Sequence, residues 1–291
     1  MQGVLLVTAL LSLGHRDRPT DCVRDRSNFE ARGRRGVTIL SSLSNNLWPN
    51  CTVPYIVLRQ ENCNNYTADY TSACLSTFPP SLPVEGPLLE SIDEIRTKTG
   101  GRCRFVEHDP IEHAGVKPLY VIHDPESCFV QHVGYVSDDV NIINLGWCST
   151  YSTVDSIKHE LCHILGLEHE HQSPVSSNYI SRCKPQECWS TYNCLPLTDA
   201  AWQGYNTSLD LRSIMMYPLH SSCELSLKPS GEELLSAQGL TKGDVGRLMN
   251  ISDNDVASIL QHYDENKTGA CSSGRIADCS NDGDCCPARW L

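Results

Sequence analysis

The sequence predicts an α+β fold in which two lobes flank a central cleft. Three segments carry apolar residues at helical spacing, and short runs with the character of β-strands lie between the first two. A chain of 291 residues can bury one large core or two smaller ones around a cleft. We expect an amino-terminal lobe that holds the sheet and two helices, and a less regular carboxyl-terminal lobe that begins after Gly166.

The first elements are a strand over residues 53–58 and a helix that begins at Pro87. Proline suits the first turn of a helix, where the amide hydrogen that it lacks would have no partner. Gly100 can close this helix in a left-handed conformation. Its apolar residues share one face and are Leu88, Ile92 and Ile95. The loop before this helix holds Cys63 and Cys74, whose pairing is suggested only by their close spacing.

Short runs after this helix predict the rest of the sheet. They cover residues 104–106, 119–123, 129–136 and 140–145. A second helix is expected over residues 153–165. A third begins after Ser252, whose hydroxyl can cap its first turn. The apolar positions of this third helix are Val256, Ile259, Leu260 and Tyr263.

The composition indicates an exported protein. Sixteen cysteines are far more than a typical cytosolic enzyme carries. Residues 4–13 form an apolar run too short to span a bilayer and predict a signal peptide over residues 1–14. No other run is apolar enough for a membrane helix, and a net charge of −12 argues against a nucleic-acid partner. Five glycosylation sequons agree with a secreted, extracellular protein and begin at Asn50, Asn65, Asn206, Asn250 and Asn266.

The chain divides into four expected segments. Residues 15–35, polar and rich in arginine, predict a propeptide, with an unstructured basic loop as the alternative. A dibasic run closes this segment, so the mature chain would begin at Gly36. The folded domain is expected over residues 36–271, and residues 272–291 resemble the start of a small disulfide module.

One segment predicts a metal site. His159 and His163 lie four residues apart, so on a helix both imidazoles face one point. Gly166 can end that helix in a left-handed turn and free the chain to return with His169. Three imidazoles with an open fourth position form the ligand set of a catalytic zinc ion, and Glu160 stands beside them as a base for water. An apolar stripe on roughly the opposite face aims the histidines at a cleft, and its members are Val154, Ile157, Leu161 and Ile164.

Residues 159–170 resemble the long zinc motif of the metzincin proteases. Glu170, directly after the third histidine, resembles the astacin family, where a reprolysin would carry Asp and a matrixin usually Ser. A second match, Ser213-Ile214-Met215-Met216-Tyr217, is similar to the astacin Met-turn. The resemblance implies a metzincin-like, two-lobed protease domain with a twisted mixed sheet, an active-site helix that binds one zinc ion, and a central cleft. It implies a zinc-dependent endopeptidase that hydrolyses peptide bonds in proteins.

The resemblance also implies roles for individual residues. Met215 would form the floor beneath the metal, and Tyr217 would bind zinc and then swing away to donate a hydrogen bond to the oxyanion. The mature amino terminus at Gly36 would pair with Glu170. A monomer would bind its peptide substrate in extended form, as an antiparallel strand against residues 129–136. The implied disulfides are Cys103 with Cys271 and Cys128 with Cys148.

Four positions depart from the astacin pattern or from its zinc helix. Met216 replaces a common histidine, and Glu168 replaces an aromatic residue. Gln172 begins a run that lacks the usual charges. Cys162, inside the zinc helix, is either a small buried hydrophobe or a thiol that binds metal or oxidises. These departures keep open the alternative of a non-catalytic zinc protein that retains the fold.

Overall fold

A five-stranded mixed sheet forms the amino-terminal half of the protein. The computed structural model describes residues 47–58, 85–123, 128–146, 148, 154–182, 197, 208–220, 225–247 and 250–269. The strands of this sheet are β1 (Thr52–Val57), β2 (Arg104–Glu107), β3 (Leu119–Ile122), β4 (Phe129–Val130) and β5 (Asn141–Asn144). They lie in the order β2-β1-β3-β5-β4, and only the β4–β5 pair is antiparallel. The predicted mixed sheet is therefore present.

Two helices pack against each other and against this sheet. They are α1 (Glu85–Lys98) and α2 (Val154–Ile164), close to the ranges that the sequence predicts. The predicted apolar face of α1 is buried, with Leu88 and Ile95 almost fully covered. Lys158 of α2 is buried as well, and its ammonium group pairs with Glu94 of α1 at 2.9 Å. Apolar contact and this ion pair together fix the position of α2 on α1.

The predicted strand over residues 129–136 is wrong in length, because β4 ends at Val130. Gln131 still donates its backbone N–H to the carbonyl oxygen of Ile142 over 2.9 Å. Gly134 then adopts a positive φ of 76° and donates its N–H to the carbonyl oxygen of His163 over 2.9 Å. The chain therefore leaves the sheet and crosses to the end of α2. The competing partner lies in a distant segment, so the local pattern could not show it.

The second half contains smaller elements, most of which the sequence analysis missed. They are α3 (Ser176–Tyr179), β6 (Ile180–Arg182), β7 (Leu225–Leu227) and α4 (Pro229–Ala237). Strands β6 and β7 form an antiparallel pair. Helix α4 lies so close to α3 that a Cβ on Gly231 would come within 2.3 Å of the Tyr179 carbonyl oxygen. Glycine is therefore required for this contact.

The last helix, α5 (Asp253–Gly269), begins after Ser252 as the sequence predicts. The Ser252 hydroxyl accepts a hydrogen bond from the backbone N–H of Asp255 over 2.9 Å, which is an N-cap interaction. Ile259 and Tyr263 of α5 are buried in the same cluster as the residues of the sheet, α1 and α2. A separate cluster gathers residues of the second half, including Ile180, Leu209 and Leu225. These are the two larger of three clusters among the described residues, the third being formed by Leu58, Ile122 and Ile142. Helix α5 ties the end of the described chain to the first.

The described disulfides correct one expected pairing. Cys103 is bonded to Cys51, so the expected Cys103–Cys271 bond is wrong, and Cys271 lies outside the described residues. Cys51 and Cys103 directly precede β1 and β2, which pair in parallel register from Thr52 and Arg104, so their Cα atoms lie only 4.6 Å apart. The expected bond between Cys128 and Cys148 is formed. Cys63 and Cys74 lie outside the described residues.

Within the described ranges, no helix is long and apolar enough to cross a membrane.

Candidate active site

Helix α2 presents two of the predicted ligands because its other face is buried. Ile157, Leu161 and Ile164 are each at most 1% exposed and face the first core. The ammonium group of Lys158 is held by Asp155 at 3.0 Å as well as by Glu94. Residues on the opposite face are therefore turned toward the second half of the protein.

The end of α2 is fixed by partners from three segments. Gly166 adopts a φ of 104°, the left-handed conformation that glycine takes without strain. Its N–H and that of Gly134 both donate to the carbonyl oxygen of His163, each over 2.9 Å. The indole Nε1–H of Trp48 donates to the carbonyl oxygen of Ile164 over 2.9 Å. The last carbonyl groups of a helix lack partners within it, and here remote residues supply them.

Past this turn the chain brings His169 back to the histidines of α2. The Nε2 atom of His169 lies 3.1 Å from that of His163 and 3.3 Å from that of His159. Tetrahedral zinc with bonds of about 2.0–2.1 Å separates its nitrogen ligands by about 3.3 Å. These two separations match that spacing, and one ligand atom from each of the three histidines lies within 4.8 Å of the others.

Each imidazole is held in the tautomer that frees Nε2 for a metal. The Nδ1 atom of His159 lies 2.8 Å from the carbonyl oxygen of Ile214, and that of His163 lies 2.6 Å from the carbonyl oxygen of Leu167. The Nδ1 atom of His169 lies 3.0 Å from an oxygen of the Gln172 side chain. A carbonyl oxygen only accepts hydrogen bonds, so each Nδ1 carries the proton and each Nε2 offers its lone pair.

Burial keeps two of these rings neutral. Desolvation, with the neighbouring His159, lowers the pKa of His163 to about 3. Desolvation, with His163 and His159 beside it, also lowers the pKa of His169 well below its usual value. A metal ligand must be the neutral imidazole, so this environment suits metal binding at neutral pH. The chemistry and the spacing of the donors both fit zinc.

The segment that resembles a Met-turn lies against this histidine cluster. Asp255 of α5 accepts hydrogen bonds from the Ser213 hydroxyl at 2.6 Å and from the backbone N–H of Ile214 at 2.9 Å. Ile214 in turn offers its carbonyl oxygen to His159. Met215 is 1% exposed, and its carbonyl oxygen accepts the backbone N–H of Glu170 over 3.0 Å. The turn is thus bonded both to α5 and to the segment that carries the third histidine.

Tyr217 packs against the third histidine. Its ring centroid is 4.5 Å from that of His169 and 4.2 Å from that of His171, on which it stacks. The side chain is buried, with 6% exposure. Met216, the residue that departs from the family pattern, is buried in the second core together with Tyr217.

Glu160 is the carboxylate on the histidine face of α2. It follows His159 directly and is half-buried. Its Oε1 atom lies 3.9 Å from the sulfur of Cys128, so the Cys128–Cys148 disulfide lies beside this carboxylate. The disulfide links the start of β4 to the segment after β5. An apolar sulfur pair therefore borders the expected catalytic base.

Two further carboxyl groups flank the third histidine in sequence: Glu170 is buried and Glu168 is partly exposed. Burial raises the pKa of Glu168 to about 7 and that of Glu170 to about 8. The Oε1 atom of Glu170 accepts the backbone N–H of Asp210 over 2.8 Å. This buried acid is the group expected to receive the amino terminus at Gly36, which lies outside the described residues.

Cys162 lies in the first core. It is fully buried, is unpaired within the described part of the chain, and has a pKa raised well above its usual value by burial. These properties favour its interpretation as a small buried hydrophobe.

Of the five sequons, Asn50 and Asn250 are described and exposed. Asn65 and Asn206 lie outside the described residues, as does the side chain of Asn266.

Sequence reasoning missed three residues of this site. Gln172 bonds to His169, Trp48 bonds to the end of α2, and Asp255 bonds to the turn beside the histidine cluster. Of these three, only Gln172 is close in sequence to its partner, since it lies three residues after His169. The partners of Trp48 and Asp255 are 116 and 41 positions away in sequence.

The comparisons with known proteins agree with this geometry. The sequence profile of the Astacin peptidase family matches residues 87–264, which is more than half of the chain. No curated protein matches the chain. The fold is similar to that of high choriolytic enzyme 1, a hatching enzyme zinc-protease from Oryzias latipes (medaka fish). The two are 18% identical with a TM-score of 0.52, and the match covers 76% of this chain and 96% of the fish protein. The chain therefore belongs to the astacin family of zinc metalloendopeptidases.

Proposed function

We propose that this protein is a secreted endopeptidase in which His159, His163 and His169 hold a catalytic zinc ion and Glu160 acts as the general base. The observation that carries the proposal is the convergence of three histidines, in which the Nε2 atom of His169 lies 3.1 Å and 3.3 Å from those of the other two. The half-buried Glu160 directly follows the first of them. A zinc ion bound there would supply a Lewis acid and lower the pKa of a coordinated water to about 7.

The side chains of the protein divide the remaining steps between them. Glu160 takes a proton from the water that attacks the peptide carbonyl, and returns it to the leaving amine nitrogen. The Tyr217 hydroxyl donates a hydrogen bond to the substrate carbonyl oxygen as negative charge develops on that oxygen. Met215 closes the buried side of the histidine cluster and excludes water from it.

An extended peptide would bind along β4. This strand lies at the end of the sheet order, and its pairing with β5 is antiparallel. A substrate strand can add to such an edge through main-chain hydrogen bonds. Because β4 ends at Val130 and the chain then crosses to α2, we expect few of these bonds, so side-chain contacts would decide affinity.

Export and processing complete the proposal. Disulfide bonds persist in oxidising compartments, and two are formed within the described residues. The exposed sequons at Asn50 and Asn250 are accessible to glycan attachment. We propose a signal peptide over residues 1–14 and a propeptide over residues 15–35. Amino-terminal sequencing of the secreted, active protein should begin at Gly36, and a start at any other residue would contradict this boundary.

The direct test is cleavage of a denatured protein mixture by the secreted, processed protein. Glu160→Gln should lower kcat/KM by at least about 10²-fold, with bound zinc measured by atomic emission unchanged. The matched control is Glu112→Gln, which alters an exposed glutamate outside the site. A chelator should abolish activity and added zinc should restore it. Bound zinc without any cleavage by the wild type would instead favour a non-catalytic zinc protein.

A further inference from the structure

The three histidines differ in what holds their Nδ1 atoms. Main-chain carbonyl oxygens hold His159 and His163, whereas a side chain, that of Gln172, holds His169. We propose that Gln172 is a positioning residue that fixes the tautomer and ring orientation of His169 and thereby sets the affinity for zinc. This inference rests on the zinc site of the proposed function and assigns a role to a residue outside the expected ligand set.

The position of Gln172 is fixed by its own backbone. Its N–H donates to the carbonyl oxygen of His169 over 2.9 Å, which closes the 3-10 turn Glu170–Gln172. Its carbonyl oxygen accepts the N–H of Leu197 over 2.8 Å. The side chain is fully buried, at 0% exposure. Because Gln172 is fully buried, bulk water cannot readily replace its amide oxygen if the side chain is shortened or made apolar.

The orientation of the amide follows from the ligand geometry. If the amide nitrogen faced His169, it would donate to Nδ1 and leave the proton of the neutral ring on Nε2. A proton on Nε2 would point at His163, whose own Nε2 is 3.1 Å away, and would block metal binding. Zinc binding therefore requires the orientation that the structure shows, with the amide oxygen 3.0 Å from Nδ1. Gln172 thus selects the binding-competent tautomer of His169.

The chemistry of an amide also predicts the direction of each substitution. Partners of a ligating histidine raise its basicity, and their loss typically lowers metal affinity by roughly 10- to 100-fold. An amide oxygen is a weaker acceptor than a carboxylate, so Gln172→Glu should retain or strengthen zinc binding. Gln172→Met preserves volume but removes the acceptor, so it should weaken zinc binding by roughly 10- to 100-fold.

The test measures the zinc dissociation constant of the full, processed protein by competition with a chromophoric chelator. The matched control is Ser173→Ala, which alters the neighbouring residue, buried at 1% exposure, whose hydroxyl bonds to no ligand within the described residues. Cobalt-substituted protein gives a second readout, because loss of the His169 orientation should change the visible ligand-field spectrum of Gln172→Met and not that of Ser173→Ala. Thermal unfolding of the metal-free variants verifies that both fold.

Each outcome separates this inference from the proposed function. Weaker zinc binding in Gln172→Met, with affinity retained in Gln172→Glu and Ser173→Ala, supports the positioning role. Equal dissociation constants in Gln172→Met and Ser173→Ala would overturn that role and leave the zinc site standing. A wild-type protein that binds no zinc would overturn the proposed function, and this inference with it.

Discussion

The indole of Trp48 closes the helix that carries two histidines, through a buried hydrogen bond of 2.9 Å to the carbonyl oxygen of Ile164. The two residues are 116 positions apart. Leu47 lies against Gly166 in the same region, where a Cβ on the glycine would be 3.7 Å from the leucine side chain. The segment before β1 thus braces the turn that returns His169 to the site.

Replacing Trp48 by Phe should destabilise the metal-free protein by about 1–3 kcal/mol, because it leaves the Ile164 carbonyl buried without its donor. Urea unfolding measures this change. Tyr135→Phe is the comparison, since Tyr135 packs on Trp48 with ring centroids 4.7 Å apart and its half-buried hydroxyl accepts the N–H of Lys117. We expect a smaller loss there, and equal losses would argue against a special role for Trp48.

Replacing Tyr217 by Phe should lower kcat by about 10²–10³-fold, because one donor to the developing oxyanion is lost. KM and zinc content should change little, since the ring keeps its contacts with His169 and His171. Steady-state kinetics on a peptide substrate separates the two constants. Tyr179→Phe, in the second core, is the control and should behave as the wild type. A loss confined to KM would show that Tyr217 binds substrate only.

Replacing Asp255 by Asn should remove one source of pH dependence from the stability. Burial raises the pKa of the Asp255 carboxyl in the folded protein above the value of about 3.9 in an unfolded chain. The Asp255 carboxyl therefore stays protonated to a higher pH in the folded protein than in the unfolded chain. The stabilisation that results is complete below the unfolded pKa and is lost as the pH rises through the folded pKa.

The free energy of unfolding of the metal-free wild type, relative to Asp255→Asn, should therefore fall as the pH rises above about 4. Urea titrations at a series of pH values provide this difference. Asp253→Asn is the matched control, because Asp253 is exposed in the same first turn of α5. A difference that is constant with pH would refute the raised pKa.

Cys162 should resist alkylation in the folded protein, because its thiol is fully buried. Iodoacetamide without reductant should label it only after unfolding in guanidinium chloride, as peptide mass mapping would show. Cys162→Ala should retain zinc binding and activity and lose about 1 kcal/mol or more of stability through the cavity that it leaves. Rapid labelling of the native protein would instead support a reactive thiol in the zinc helix.

The histidine cluster was predictable because its signal is local. His159 and His163 share a helix face, and Gly166 and His169 follow within one turn of chain. Helices α1, α2 and α5 were also predictable, from the spacing of their apolar residues. These features depend on the period of the helix and on nearby residues, so a single sequence contains them.

The errors lie where distant segments compete for the same backbone groups. The strand that begins at Phe129 stops early because Gly134 bonds to His163 and not to a strand. Cys103 pairs with Cys51 because β1 and β2 lie side by side in parallel, an arrangement that spacing along the chain does not reveal. Asp255 meets the backbone of Ile214 across 41 positions. Such pairings depend on tertiary packing, which a local sequence pattern does not show.

The Nδ1 partners of the three histidines come from different parts of the chain, which has a consequence for engineering. A peptide of residues 154–172 would contain all three imidazoles, Leu167 and Gln172, but not Ile214, whose carbonyl oxygen holds His159. It would also lack Trp48 and Gly134 at the end of the helix. Transplanting the zinc motif into another scaffold would therefore transfer the ligands without the framework that orients them. A successful graft would need donors and acceptors placed by the host at three separate points around the helix.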